Sequence, residues 1–223
     1  MGGDGNPGRR GRGELTVAAR REPLAPGDIE VLPATPERWP DVVTLLGGAT
    51  ERGCWCQSWR GSAAARGFSG PAANRDALEA QILEASVDAE EFAPGLIAYV
   101  DGQPVGWCGL GPRAAMPRLV NSRTIPAVDA LPVWSIGCFV VRPGHRRRGV
   151  ARALLQGAIA YARAAGTPGI ESYPIDPARA RVSTSFGFVG FTAMFERAGF
   201  RRVLMTDAHS AGLPRWLMRL EFE

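Results

Sequence analysis

Lysine is absent from this chain, and all 26 of its basic residues are arginine. Without lysine there is no Gly-x-x-x-x-Gly-Lys-Ser/Thr motif, so a nucleotide-binding P-loop is excluded. No Gly-x-Gly-x-x-Gly motif follows a predicted strand, which argues against a dinucleotide-binding fold. The abundance of alanine, glycine, proline and arginine is instead typical of a GC-rich bacterial genome.

Cysteine and histidine are scarce, with four and two residues. Cys54 and Cys56 are too close in sequence for an ordinary disulfide, and no second pair or nearby histidine completes a zinc site. Cys108 and Cys138 fall in predicted strands, where a free cysteine behaves as a small hydrophobic residue. We therefore expect no metal, and a reducing compartment is the simplest location.

Long apolar runs are also missing. No segment is long enough to cross a membrane, and the N-terminus lacks the apolar core of a secretion signal. Residues 1–27 hold five arginines against three acidic residues, so about half of the net charge of +4 lies there. No basic helix with interleaved aromatic residues is found. We expect a cytoplasmic protein that binds neither membrane nor nucleic acid. The sequence leaves open whether it forms a homodimer.

The residues that are present suit one globular domain, since 45% of the 223 residues are hydrophobic and 22% are charged. Residues 1–27 are rich in glycine, arginine and proline and are predicted to form a disordered tail, which leaves 28–223 as a single domain. Hydrophobic periodicity predicts both strands and helices, and therefore an α/β fold. We expect strands at 29–32, 96–100, 105–110, 133–141, 169–175, 201–207 and 216–222, and helices at 36–46, 74–85, 190–198 and from 150 to a stop at Gly166.

Two local signals support these elements. Asp101-Gly102 lies between two strand patterns and predicts a tight hairpin. Thr35 followed by Pro36 predicts a helix start with Thr35 as the N-cap.

The most informative stretch runs from Val140 to Ala151. A strand ends there, a short turn carries Arg146, Arg147 and Arg148, and Gly149 opens an apolar helix. A helix start leaves its first amides unpaired and carries the positive end of the helix dipole, so it binds phosphate or pyrophosphate. A glycine at this point lets an anion approach the backbone closely. The alternative is a solvated, charged turn.

The spacing Arg146-x-x-Gly149-x-Ala151 resembles the acyl-CoA-binding motif of the GNAT superfamily of N-acyltransferases, Gln/Arg-x-x-Gly-x-Gly/Ala. A second stretch, from Phe195 to Phe200, resembles the family's aromatic-x-x-x-Gly-Phe ending of the helix after its fifth strand. The two matches stand in the family's order and at its distance. The chain is therefore similar to this superfamily in motif detail over about 130–205.

The resemblance implies a mixed, twisted central sheet of about seven strands, with helices on both faces and with the fourth and fifth strands splayed apart. It implies acetyl-CoA as the acyl donor. The turn would hold the pyrophosphate, and the backbone of the fourth strand would pair with the pantetheine amides. The residues expected to bind the donor are Phe139, Val140, Val141, Arg146, Arg147, Arg148, Gly149, Val150 and Ala151.

The proton chemistry departs from the family pattern. Many members carry a tyrosine as general acid where this chain has Phe195, which has no proton to donate. Glu171 and Tyr173 are our candidates, because they lie two apart on a predicted strand and point to one face. Glu171 would deprotonate the amine and Tyr173 would protonate the thiolate. The alternative is that Glu171 pairs with an arginine and Tyr173 packs in the core.

Aromatic residues are the candidate walls of the acceptor pocket. Trp55 and Trp59 come from an early segment, and Phe188 comes from a late loop together with Phe186 and Phe191. Aromatic walls suit a small apolar or cationic amine. The alternative is that Trp55 and Trp59, four residues apart, form one buried helical face.

These expectations combine into an acetyl-CoA-dependent N-acetyltransferase that acts on a small-molecule amine by direct attack. An acyl-enzyme on Cys138 is the less favoured route, because a buried strand cysteine is usually inert. Two other functions stay open. One is a protein or peptide acetyltransferase acting on lysine or an N-terminus, and the other is a non-catalytic acyl-CoA sensor.

Overall fold

A seven-stranded sheet organises the computed structural model, which describes residues 22, 24–47, 53–61, 70–87, 92–177 and 187–223. The strand order is β1-β2-β3-β4-β5-β7-β6, and only β4 and β5 are parallel neighbours. This confirms the mixed α/β fold with seven strands. The strands are β1 (Glu30–Pro33), β2 (Gly95–Val100), β3 (Gln103–Pro112), β4 (Trp134–Val141), β5 (Gly169–Ser172), β6 (Arg201–Ser210) and β7 (Leu213–Glu221).

Helices cover both faces of the sheet, as predicted. The long helix α5 packs on one face, where Leu96 and Ala98 of β2 point. The helices α1 and α3 pack on the other face, against Ile97 and Trp107. The helices are α1 (Trp39–Leu46), α2 (Gln57–Arg60), α3 (Pro71–Val87), α4 (Pro117–Val120), α5 (Val150–Ala164) and α6 (Thr192–Glu196). None of the helices within the described ranges has the length and apolar character to cross a membrane.

The hairpin between β2 and β3 forms at the predicted turn. Asp101 and Gly102 both have positive φ, 51° and 70°, as a two-residue turn that matches strand twist requires. Along this hairpin Gly95 faces Trp107, and a Cβ on Gly95 would lie 2.2 Å from the indole ring. The buried indole therefore fits only because position 95 has no side chain.

The fourth and fifth strands splay apart. β4 and β5 pair only at Trp134 with Ile170, Ser135 with Glu171 and Ile136 with Ser172. Beyond Ile136, β4 continues to Val141 and pairs with β3 alone. The register between β3 and β4 skips one residue at Gly137, which forms a β-bulge at the point of divergence. The predicted gap between the two strands is confirmed.

Two boundary predictions were wrong. β5 ends at Ser172 and not at 175, because Pro174 has no amide proton to continue the ladder; Ile175 forms only isolated bridges. Thr35 does not cap a helix. Its hydroxyl accepts a 3.2 Å hydrogen bond from the guanidinium of Arg38, and a 3-10 turn precedes α1 because Pro40 cannot donate.

Candidate functional site

The turn between β4 and α5 has the shape of an anion cradle. Arg147 and Gly149 both have left-handed φ, 61° and 98°, and α5 begins at the next residue. The first helical hydrogen bond runs from the amide of Ala153 to the carbonyl of Gly149 at 3.0 Å. The three amides before Ala153 therefore point out of the helix start. Among the described residues, a Cβ on Gly149 would meet only Ile29, at 3.9 Å, so these residues leave space above the turn.

The three arginines of the turn differ in their contacts. Arg146 donates from Nε to the carbonyl of Val141 at 3.0 Å, and Arg148 donates to the carbonyl of Glu22 at 3.2 Å. Arg147 is exposed. Arg146 and Arg148 thus hold the turn in place as well as charging it, a second role that the sequence pattern did not indicate.

The edge of β4 that faces the gap lies between this turn and the bulge. Among the described residues, no strand pairs with Phe139, Val140 or Val141 on the side of β5. The side chain of Phe139 packs on the α5 face, with its ring 6.2 Å from that of Phe195. Phe195 is fully buried, so the position that a tyrosine holds in the resembling family is a core position here.

Glu171 and Tyr173 meet on the other face, at the base of the gap. The hydroxyl of Tyr173 donates to Oε1 of Glu171 at 2.6 Å and lies 2.9 Å from the hydroxyl of Ser135. All three side chains are buried. Burial and the negative charge of Glu171 hold the pKa of Tyr173 well above its ordinary value, so the phenol stays protonated.

Two guanidinium groups compensate the buried carboxylate of Glu171. Nε of Arg113 lies 2.9 Å from Oε1, and Nη2 of Arg219 lies 3.3 Å from Oε2. Arg219 also pairs with Asp129. These four charged groups line a cavity of about 310 Å³, and their charges balance.

Trp59 lies beside the bulge. Its Cδ1 atom is 3.2 Å from the point that a Cβ on Gly137 would occupy, and its ring centre is 6.3 Å from that of Tyr173. The structure therefore brings this predicted wall residue to the gap. Trp55 lies elsewhere: it is 6% exposed and packs against Trp39 in the cluster of α1 and α3.

The late loop is described only from residue 187. Phe188 is 40% exposed in a 3-10 turn that contacts β4. Phe186 lies outside the described residues. Phe188 therefore stays a predicted wall residue, with its ring available at the surface.

Two thiols lie side by side on the same face. Cys56 and Cys138 hydrogen-bond each other, and the indole N–H of Trp107 donates to Cys56 at 2.9 Å. The hydrogen bond from Cys56 lowers the pKa of Cys138, and the same contact raises the pKa of Cys56. Sequence reasoning missed this pair, because no local spacing connects residues 82 positions apart.

Sequence reasoning also missed Arg215. Its Nε donates to the carbonyl of Tyr173 at 2.7 Å, and its guanidinium carbon lies 5.3 Å from the ring centre of Trp59. Burial lowers the pKa of Arg215 to about 10. A signal was available: Arg215 and Arg219 lie four apart on a strand, so they share a face with the inward-pointing Leu217.

No metal centre is visible in the part of the chain that the structure describes, since no three histidine, cysteine or acidic side chains converge there. The described residues thus offer a helix start suited to an anion and a strand edge without a described partner that runs from this turn to the bulge at Gly137, where Trp59 lies.

Comparison with known proteins gives one family. Residues 62–188 match the sequence model described as the acetyltransferase (GNAT) family. A search of curated protein sequences finds no significant match.

Solved structures share the fold. A variant of agmatine N-acetyltransferase aligns over 87% of this chain and 100% of its own, with 13% identity and a TM-score of 0.55. A GNAT-family acetyltransferase from Streptococcus pneumoniae covers 87% and 99%, with 13% identity and a TM-score of 0.52. A protein from Corynebacterium glutamicum, described as histone acetyltransferase HPA2 and related acetyltransferase, covers 86% and 95%, with 22% identity and a TM-score of 0.51. At these identities the similarity establishes a common fold alone.

Proposed function

The chain belongs to the GNAT acetyltransferase family, and on that premise we propose that it transfers an acetyl group from acetyl-CoA to the amine of a small molecule. One observation carries the proposal. From the bulge at Gly137 to Val141, the edge of β4 that faces β5 has no partner among the described strands, and it leads directly to the helix start at Gly149. A thioester that carries a long arm with amide groups, followed by a pyrophosphate, would fit the strand edge and then the helix start in that order.

The residues present suit the donor. Amides at the start of α5, with Arg146 and Arg148 fixed beside them, would hold the pyrophosphate. Backbone groups of Phe139, Val140 and Val141 would pair with the pantetheine amides in place of a strand. Acetyl-CoA supplies an activated acyl group, and the protein's task is to place the thioester carbon against the incoming amine.

Transfer would proceed by direct attack. The amine nitrogen forms a bond to the thioester carbon, the carbon–sulfur bond breaks, the thiolate leaves, and the amine gives up a proton. Glu171 and Tyr173 are the proposed groups for these proton transfers: Glu171 would take the proton of the amine, and the phenol of Tyr173, which stays protonated, would give its proton to the thiolate. Tyr99 and Tyr161 are bonded elsewhere, to Asp41 and to the amide of Ala93.

Contacts between two short helices beside the bulge support a small acceptor. Helix α4 packs against α2, and the guanidinium of Arg118 donates to the carbonyl of Ser58 at 2.8 Å. The segment that carries α4 therefore holds α2, and with it Trp59, in place. A fixed aromatic side chain at this position would favour a pocket for a small molecule over an open peptide groove.

The test is release of free thiol from acetyl-CoA over a panel of small amines and lysine-bearing peptides, with acetyl-CoA affinity measured by calorimetry. We expect saturable turnover with small amines and little with peptides, and Cys138→Ser should retain turnover because attack is direct. Turnover confined to peptides would contradict the small-molecule assignment. Tight binding without turnover would indicate a sensor, and absence of binding would defeat the proposal as a whole.

A further inference from the structure

Arg215 is a buried cation that has no counter-ion within the described part of the chain. It is 6% exposed, and among the described residues no aspartate or glutamate forms an ion pair with it. Its surroundings are the rings of Trp59 and Tyr173, with its guanidinium carbon 5.3 and 5.8 Å from their centres. Within the described residues, the guanidinium of Arg215 has one hydrogen-bond acceptor, the backbone carbonyl of Tyr173, to which Nε donates.

Two neighbouring arginines, Arg113 after β3 and Arg219 on β7, show what is missing. Arg113 and Arg219 share the carboxylate of Glu171, and Arg219 also pairs with Asp129. Buried charges are ordinarily paired in this way, because an unpaired buried ion loses its hydration without compensation. Arg215 is the exception among these three arginines. A guanidinium whose parallel N–H donors are not used by described acceptors matches the two oxygens of a carboxylate in geometry.

The chain does not supply the missing anion from the adjoining segments. Residues 62–69, which connect α2 to α3, and residues 178–186, which follow β5, contain no aspartate or glutamate; they carry three arginines. Among the described residues, Arg60 is half-buried, and its guanidinium donates to the carbonyl oxygens of Pro94 and Leu110 and not to a carboxylate. The described residues therefore leave both Arg60 and Arg215 without a carboxylate partner.

We propose that Arg215 binds a carboxylate of the acceptor, so that the substrate is an amine that also carries a carboxylic acid, such as an amino acid. This inference rests on the proposed function. Trp59 lies between Arg215 and the bulge at Gly137, in contact with both. A substrate lying along the indole would have its carboxylate at Arg215 and its amine at the gap, where the thioester would be held.

The assignment departs from the expectation that aromatic walls select apolar or cationic amines. A cation at the end of Trp59 repels a cationic acceptor in a cleft of low dielectric. It attracts a zwitterionic one through its carboxylate and leaves the amine end free. Arg215 is therefore a specificity-determining residue.

The experiment compares free amino acids with their decarboxylated amines and their carboxamides as acceptors, with aminophosphonates and aminosulfonates as a further arm. For the best amino acid, we expect kcat/KM to exceed that of its amine and carboxamide by about tenfold or more. In Arg215→Gln this preference should disappear, mainly through KM, and Arg215→Lys should retain part of it. The matched control is Arg197→Gln, which removes an exposed guanidinium at the end of α6.

Stability separates this role from a structural one. Arg215→Gln removes an uncompensated buried charge, so its melting temperature should equal or exceed that of the wild type while its preference is lost. A large loss of stability would contradict the proposal. So would equal turnover of amino acids and their amines by the wild type, an unchanged preference in Arg215→Gln, or a stronger preference for phosphonates or sulfonates.

Binding of amino acids in the absence of the acyl donor tests the carboxylate site independently of the proposed function. Stabilisation of the wild type by the same amino acids, measured by thermal shift without donor, should be lost in Arg215→Gln and kept in Arg197→Gln. If acetyl-CoA neither binds nor turns over but this stabilisation is seen, the proposed function fails and the carboxylate site stands. If amines are acetylated but no amino acid binds, the function stands and the carboxylate site fails.

Discussion

The hydroxyl of Tyr173 donates a 2.6 Å hydrogen bond to Oε1 of Glu171, at a point where neither side chain has more than 1% of its surface exposed. The two residues lie two apart in the chain, and the splay of β4 and β5 begins next to them. Burial raises the pKa of Tyr173, and the pairing adds to this effect because a phenolate would face the carboxylate of Glu171. The phenol of Tyr173 therefore keeps its proton and cannot serve as a base.

Replacement of Tyr173 by phenylalanine tests this role. We expect Tyr173→Phe to lower kcat by about 100-fold, in the range that general acid catalysis contributes, and to leave acetyl-CoA affinity nearly intact. Steady-state kinetics and calorimetry measure the two quantities. Tyr161→Phe is the matched control, because it removes a hydroxyl that accepts a hydrogen bond from the amide of Ala93, away from the gap. Full activity in Tyr173→Phe would remove the residue from the mechanism.

Glu171 should be important for stability whether or not it moves a proton. In Glu171→Gln, the buried guanidinium groups of Arg113 and Arg219 lose their shared carboxylate. Loss of one partner of a buried ion pair costs about 3–5 kcal/mol, so we expect a loss of this size in the free energy of unfolding by urea. Glu196→Gln provides the comparison, since its pairing with Arg202 is exposed and contributes about 1 kcal/mol at most. Equal effects of the two substitutions would contradict a buried, charge-balanced network.

The parts of the fold that the sequence predicts are those with a local cause. The hairpin at Asp101-Gly102 forms because two adjacent residues accept positive φ. The turn before α5 forms because Gly149 takes a left-handed conformation at the start of an apolar helix. In both cases the residues that decide the conformation are neighbours in the chain, so their pattern can be recognised without the tertiary structure.

The parts that the sequence does not predict depend on register across the sheet. Cys138 meets Cys56, and Arg215 meets Tyr173, only because particular strands align at particular residues. A shift of one residue in β7 would turn Arg215 to the opposite face. No local spacing encodes that alignment, so the buried cation becomes visible only in the folded chain.

Substitution of Gly149 should abolish donor binding. Gly149→Glu places bulk and negative charge at the helix start, where a pyrophosphate is proposed to lie, and we expect acetyl-CoA affinity to fall below detection by calorimetry. The matched control is Gly166→Glu at the other end of α5. That glycine also has a left-handed φ, 71°, and a Cβ added there would have no neighbour within 4 Å, so the control reproduces the backbone strain alone. Unchanged affinity in Gly149→Glu would refute the cradle.

Substitution of Gly95 should destabilise the sheet. The methyl group added in Gly95→Ala would lie 2.2 Å from the ring of Trp107, which is fully buried and has no room to move away. Overpacking of this kind costs about 1–3 kcal/mol, measurable as a lower midpoint of urea unfolding. Gly27→Ala, with nothing within 4 Å of the new atom, should leave the midpoint unchanged. An unaffected Gly95→Ala would contradict the close approach of the two strands.

The two neighbouring thiols should differ in reactivity. Because the hydrogen bond from Cys56 lowers the pKa of Cys138, the Cys138 thiolate persists to lower pH, and its alkylation should begin at lower pH than that of Cys56. Iodoacetamide labelling across roughly pH 6–9, the range in which protein thiols titrate, followed by peptide mass spectrometry, is the measurement. In Cys56→Ala the hydrogen bond is gone, so the profile of Cys138 should move to higher pH. Since burial and the neighbouring Arg60 act on Cys138 in either case, an unmoved profile would show that they, and not Cys56, set its reactivity.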